Sequence, residues 1–368
     1  MNSSGAEGWH RAMIRELQTT KEFDTLDLVR PPTDRNIVGS RWVFARKQDG
    51  TLKARWVAQG FSQSAGLDYG EMFRPACRVG SMRLFLALVN EKDWPVYHMD
   101  STNAFLQGLC EATSRFNTKR PQNRRRIVCK LKRDLYGLDI SSLNGFNTLT
   151  DALRKIGFIA LSSDQCVLIL RRGSDQIIVT IYVDDILLTG NNPKLIAEVK
   201  RSLHERFVIK DLGEVSKILG IHIVRDREKG RLSLDQKEFT ESILERFGMA
   251  ECNETHLPGV RTPPDDQKPP SDTPLSRDYG AFMYLQTSTR PDLSFSVLQL
   301  SRNMNAPMKG HFGAVKRKLR YLKGPTGLSI THHRGHFKTR GYVDAACASD
   351  EKRASPWEDT FSSLVMLL

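Results

Sequence analysis

At 368 residues the chain is too long for one small hydrophobic core, so two or three domains are expected. Apolar residues make up 39% and aromatics 8%, which excludes wholesale disorder. Lys and Arg number 55 against 42 Asp and Glu, a formal charge of +13 that favours a polyanionic partner, nucleic acid before a membrane surface.

The cysteines (Cys77, Cys110, Cys129, Cys166, Cys252 and Cys347) are scattered, with no CxxC pair and no Cys/His cluster. A zinc site is therefore not expected, and the thiols read as reduced. The start, MNSSGAEGWHRAM, lacks the apolar core of a signal peptide, and no run reaches the ~18 apolar residues of a membrane span. The expectation is a soluble intracellular protein with no membrane partner. Charge alone does not separate cytoplasm from nucleus.

In chain order, residues 37–61 read as a hairpin of two β-rich stretches around Gln48-Asp49-Gly50. SMRLFLALVNEKD (81–93) has helical spacing, and WPVYHMDSTNAFLQG (94–108) runs from a strand into a turn or helix start. Residues 111–133 carry nine Lys/Arg against one Glu. TLTDALRKIGF (148–158) predicts a helix ending at Gly157. CVLILRR and QIIVTIYV then pair as strands across Gly173-Ser174-Asp175. Asn192 followed by Pro193 opens a helix, and Asp235 opens another. Residues 256–276, rich in Pro and Asp, read as a linker; 277–323 look helical, and the tail from GYVDAACASD begins as a strand.

Within this pattern YVDDILLTG sets two adjacent aspartates, Asp184 and Asp185, in an apolar, strand-like run. Two ionised carboxylates there repel each other and lose hydration, so the pair either sits at an exposed turn or faces a cation. Asp100, in YHMDSTNAFLQG, stands at another strand end. Three carboxylates with no Cys/His cluster favour a hard cation, Mg2+ (or Mn2+), and a pair of such ions suits phosphoryl transfer. The alternative is a solvated hairpin turn with Asp100 as a cap.

RWVFARKQDGTLKARWVAQGFSQSAGLDYGEMFRPACR, MDSTNAFLQG, LYGL, YVDDILLTG, FVIKDLGEVSKILGI, STRPDLSFSV and KRKLRYLKG stand in the order found in reverse transcriptases of copia-type long-terminal-repeat retrotransposons. The similarity runs from about residue 9 to 350, and the ordered set is far more specific than any single motif. The resemblance implies an α+β right-hand polymerase: fingers at 9–95, palm at 96–225, thumb at 226–255, linker at 256–276, a helical connection at 277–325, and an incomplete ribonuclease H-like strand in 326–368. It implies that Asp100 and Asp184 ligate catalytic metals with Asp185 beside them. By the same resemblance Phe105 is an aromatic gate against ribose, and Lys53 and Arg55 are the basic pair that receives a deoxynucleoside triphosphate. Leu219-Gly220 resembles a primer-grip hairpin, and Asp344 the first ribonuclease H carboxylate.

The match also fails in places. After LYGL the family's Lys-Gln-Ala-Pro-Arg-x-Trp is replaced by DISSLNGF, so its glutamine is Ile140 and its arginine and tryptophan are Leu143 and Gly145. A lost amide donor costs ~1–3 kcal/mol. Ala346 and Cys347 replace a ribonuclease H aspartate and tryptophan, and a core of that kind cannot close in the residues that follow, so ribonuclease H activity is expected to be absent. Two readings stay open: an RNA-directed DNA polymerase acting on an RNA or DNA template–primer, or an inactive retrotransposon relic that still binds nucleic acid.

Overall fold

The computed structural model describes residues 6–31, 37–46, 49–63, 76–101, 115–117, 127–138, 140–259, 275–301, 309–335, 337, 340–342 and 365–367. Helix α1 (Ala6–Glu22) leads into β1 (Leu26–Val29), β2 (Ile37–Val38), β3 (Ser40–Arg46) and β4 (Leu52–Ala58). After α2 (Val79–Lys92) come β5 (Val96–Ser101), β6 (Arg115–Asn117), β7 (Val128–Leu131), α3 (Ser141–Ile156) and β8 (Ile159–Ala160). Strands β9 (Val167–Arg172), β10 (Asp175–Tyr182) and β11 (Asp185–Gly190) precede α4 (Pro193–His204) and β12 (Ile209–Glu214). The remainder comprises β13 (Lys217–Ile218), β14 (Ile221–Asp226), β15 (Arg231–Asp235), α5 (Lys237–Arg246), α6 (Leu275–Ser288), α7 (Ser294–Ser301), α8 (Lys309–Lys323), β16 (Ile330–His333), and the short pair β17 (Arg340–Tyr342) and β18 (Val365–Leu367).

The chain divides into two compact units, Met1–Arg78 with Val96–Gly213, and Val79–Pro95 with Glu214–Leu368. The first is built on a six-stranded sheet in the order β12-β5-β11-β10-β9-β8. Along its central strands, apolar side chains alternate onto one face, where Ile177, Val179, Ile181, Ile186 and Leu188 meet Leu149 and Leu153 of α3 and Leu195, Val199 and Leu203 of α4. Burying each such side chain contributes ~1.5–3 kcal/mol, which fixes which face of the sheet is covered. The start of α4 follows the sequence: Asn192 Oδ1 accepts from the Lys194 and Leu195 amides at 2.9 and 3.2 Å, with Pro193 at the first helical position.

A separate ribbon, β3 with β4, carries the expected hairpin, closed by Gly50 at φ 80° and by Asp49 accepting from the Thr51 amide at 2.9 Å. Gln48 lies outside the described residues. The other edge of β4 is met by α1, whose Glu16 accepts from the Trp56 amide at 3.3 Å. Burial raises the Glu16 carboxyl above its ordinary value despite that bond and the nearby Arg55 and Lys53 charges.

Two boundaries depart from expectation. Helix α3 starts at Ser141 rather than near 148, because buried Ser141 Oγ donates to Leu135 O at 2.8 Å and Asn144 Nδ2 to Asp134 Oδ1 at 3.2 Å. Hydrogen bonds to the segment just before it thus draw SSLNGF into a helix that propensity alone does not favour. Its C-terminus is as predicted, with Gly157 left-handed at φ 110°. Helix α5 takes Gln236 at its N-cap, while Asp235 ends β15 and accepts from the Lys237 amide at 3.1 Å.

The second unit pairs the sheet β13-β14-β15-β16 with α2, whose Asn90 donates to Gly230 O and His332 O at 3.0 and 3.1 Å. Its helical core joins Ile243 and Leu244 to Phe282, Leu285, Val297 and Leu319. The protein is mixed α/β, and among the described residues no helix is long and apolar enough to cross a membrane.

Candidate active site

Strands β10 and β11 pair antiparallel with Tyr182 opposite Asp185, which leaves Val183 and Asp184 as the two turn residues. Val183 holds φ 56°, a left-handed conformation that costs a β-branched residue ~1–2 kcal/mol. Strain of this kind is retained where the turn must aim a particular side chain. The turn is further held by the Ser101 amide, which donates to Asp184 O at 2.8 Å.

On its other edge β11 pairs with β5, setting Asp185 opposite Asp100, Ile186 opposite Met99 and Leu187 opposite His98. Ile186 and Met99 belong to the helix-covered core, so Asp185, Asp100 and His98 share the opposite face. The two adjacent aspartates in an apolar run are thereby explained. One is in the turn; the other alternates out of the core.

Asp184 Oδ1 is buried and, among the described residues, has no hydrogen-bond partner. Burial is the main cause that pushes its carboxyl up to about 6, with Asp100 and Asp185 raising it further and Arg55 and Lys53 opposing. Asp185 differs: its Oδ1 lies 2.7 Å from His98 Nε2. An ionised carboxylate has no proton to give, so the imidazole donates.

Lys53 and Arg55 stand two residues apart on β4 and share a face, as the alternation requires. The Arg55 guanidinium lies 4.7 Å from the centre of the Tyr136 ring, and its buried Nε has no hydrogen-bond partner among the described residues. Tyr136, from LYGL, is buried, and burial raises its hydroxyl strongly, with Arg55 opposing and Asp184 and Asp100 adding to the rise. That segment is stitched to β4: Ala58 N donates to Tyr136 O at 2.7 Å and Gly60 N to Gly137 O at 3.1 Å. Gly137 holds φ 89°, and a Cβ there would come within 2.3 Å of Ala58 O. No other residue permits this approach.

The turn, β5 and β4 therefore bring Asp100, Asp184, Asp185, Lys53 and Arg55 into one electrostatic neighbourhood. Phe105 and Asp344 lie outside the described residues. Leu219 and Gly220, at φ 51° and 72°, form a tight turn between β13 and β14 in the second unit. Ile140 is half-buried at the N-cap of α3 and makes no side-chain cap bond. Sequence reasoning missed His98 and Tyr136. Alternation along β5, which puts residues 98 and 100 on one face, was the available signal for His98; nothing local marked Tyr136.

The donor chemistry fits a hard divalent cation. All the carboxylates supply oxygen, and buried Asp184 Oδ1 has no hydrogen-bond donor among the described residues. Among the described residues, no group of three or more His, Cys, Asp or Glu is arranged as a ready-made metal cage, and Asp185 is engaged by His98.

Residues 23–261 match the family described as Reverse transcriptase (RNA-dependent DNA polymerase), and the chain belongs to it. Its relatives are Pol polyproteins of copia-type transposons. It is 36% identical over 361 residues to the "Retrovirus-related Pol polyprotein from transposon RE1" of Arabidopsis thaliana, covering 94% of this chain and 24% of the relative. With the polyprotein from transposon TNT 1-94 of Nicotiana tabacum it shares 32% over 376 residues, 96% of this chain and 28% of the relative. The chain thus spans about a quarter of the length of these curated relatives. Among solved structures, a foamy viral protease-reverse transcriptase in complex with double-stranded DNA aligns with 92% of this chain and 52% of its own, at 14% identity and a TM-score of 0.45.

Proposed function

We propose that the chain is the core of an RNA-directed DNA polymerase that adds deoxynucleotides to a primer 3′-hydroxyl. The observation that carries this reading is the buried Asp184 oxygen on a strained turn, without a hydrogen-bond partner among the described residues and within the fields of Asp100, Asp185, Arg55 and Lys53. A buried carboxylate raised by desolvation and set among several other charges is the signature of a functional site.

Asp100 and Asp184 would hold Mg2+ (or Mn2+), with Asp185 beside them. When bound, such ions would supply Lewis-acid stabilisation of the attacking hydroxyl and of the leaving phosphate oxygens. Lys53 and Arg55 accept the triphosphate and, after transfer, the pyrophosphate; Tyr136 packs against Arg55 and limits where its guanidinium reaches. Phe105 excludes the ribose 2′-hydroxyl. Basic surfaces hold an RNA or DNA template–primer through its phosphates, with strong salt dependence. The division into fingers, palm, thumb, connection and ribonuclease H-like strand belongs to the same proposal.

One observation favours a second reading, a relic that binds nucleic acid without turnover: Ile140 offers no amide where the family has one. Primer extension on poly(rA)·oligo(dT) with Mg2+ decides between them. Incorporation abolished by Asp184→Asn supports the polymerase; salt-sensitive template binding without incorporation by the unaltered chain supports the relic.

A further inference from the structure

The three carboxylates differ in their company. Among the described residues Asp184 Oδ1 has no hydrogen-bond partner, whereas Asp185 Oδ1 receives a hydrogen bond from His98 at 2.7 Å. The pairing of β5 with β11 dictates this contact. Asp185 sits directly opposite Asp100, and His98, two residues before Asp100 on the same face, is its diagonal neighbour. The His98 side chain is only 12% exposed and that of Asp185 28%, so water competes poorly for the bond.

Without that donor Asp185 would face a like charge across the strand pair, and its carboxylate would swing to whichever side lowers the repulsion. The bond instead ties Oδ1 down and leaves Oδ2 outside the contact with His98. We infer that His98 is a positioning residue for the metal centre, holding Asp185 through Nε2 so that a single carboxylate oxygen is presented to a divalent ion. This rests on the metal-binding reading of Asp184 given under Proposed function. A hydrogen-bond partner behind a metal-facing carboxylate typically changes affinity or activity by ~10–100-fold when removed.

Gln and Asn separate a donor effect from a structural one. A glutamine amide nitrogen reaches about as far as imidazole Nε2, while that of asparagine stops near Nδ1 and cannot span to Asp185. Binding of Mn2+ alone, followed by electron paramagnetic resonance, is compared for the unaltered chain, H98Q, H98N and D184N, with circular dichroism to verify the fold. Affinity should fall ~10–100-fold in H98N and stay near the starting value in H98Q. Equal affinity in both, whether retained or lost, overturns the inference. If D184N binds as well as the unaltered chain, both the metal reading and the role of His98 are removed. If D184N loses Mn2+ while H98N keeps it, only the role of His98 is lost. A second readout needs no variant that might misfold: the His98 Nε2 resonance, followed by ¹⁵N NMR with labelled histidine, should move on addition of Mg2+. A resonance indifferent to the ion also overturns the inference.

Discussion

In the six-stranded sheet a buried Asp184 oxygen has no hydrogen-bond partner among the described residues, and Asp185 is set opposite Asp100. In the second unit two aspartates, exposed Asp93 and partly exposed Asp292, are well supplied with partners. Asp93 Oδ1 pairs with Arg225, Arg227 and Arg334 at 3.0, 3.1 and 2.7 Å. Arg290, 2% exposed, donates through Nε and a terminal nitrogen to Asp292 and through the other to Pro325 O, while Tyr321 also donates to Asp292. Burial alone would raise the Asp292 carboxyl, but the bonds from Arg290 and Tyr321 outweigh it and hold it below its ordinary value. Burial wins at Asp184 and pushes it to about 6. The contrast separates charge that stabilises the fold from charge that awaits a ligand.

The largest test of that contrast is Asp184→Asn. Nucleotide incorporation should fall by roughly 10³-fold or more, equivalent to ~4 kcal/mol of barrier. Yet the variant should melt higher than the unaltered chain at pH 8 without metal. The sign follows from the raised value: the folded state binds the Asp184 proton more tightly than the unfolded chain, whose carboxyl titrates near 3.8, so ionisation on going from about 4 to about 6 destabilises the fold. The melting difference should therefore shrink below pH 5. A variant that melts lower at pH 8, or a difference independent of pH, would contradict the assignment of strain to this carboxylate.

Arg290→Met makes the opposite test in the second unit. Removing one partner of a satisfied pair strands Asp292, and denaturant unfolding of that unit should lose roughly 2–3 kcal/mol, moderated because Asp292 still reaches solvent. Ile140→Gln comes next. The side chain is half-buried and caps nothing, so stability should change by less than ~0.5 kcal/mol, whereas primer extension should improve by ~1–2 kcal/mol, or about 5- to 30-fold. No improvement in steady-state incorporation would absolve this position. The smallest effect is expected of Asp93→Asn. Its partners are partly exposed and have other acceptors, so a loss of ~0.5–1 kcal/mol that fades at high salt is the outcome to look for by thermal melting.

Much of the local architecture was legible. Asp49-Gly50, Gly173-Ser174 and Asn192-Pro193 each marked a turn or helix start through backbone preferences that act within a few residues. The early start of α3 was not legible, because its cause is a hydrogen bond from Ser141 to Leu135 outside the helix. The paired aspartates announced a site. Their division of labour did not show, since it depends on His98 lying diagonal to Asp185 across a strand boundary.

By itself the sequence determined which residues are charged, which alternate and where the chain turns, and its ordered motifs reached as far as the reverse transcriptase family. Only the tertiary structure decided that β11 lies between β10 and β5, in the register that opposes Asp185 to Asp100 and sets Arg55 over Tyr136. The reason is physical. A period of two assigns each side chain a face, but the neighbour on that face is chosen by packing between segments far apart in the chain, and a one-residue slip would have turned both β11 and its aspartate the other way.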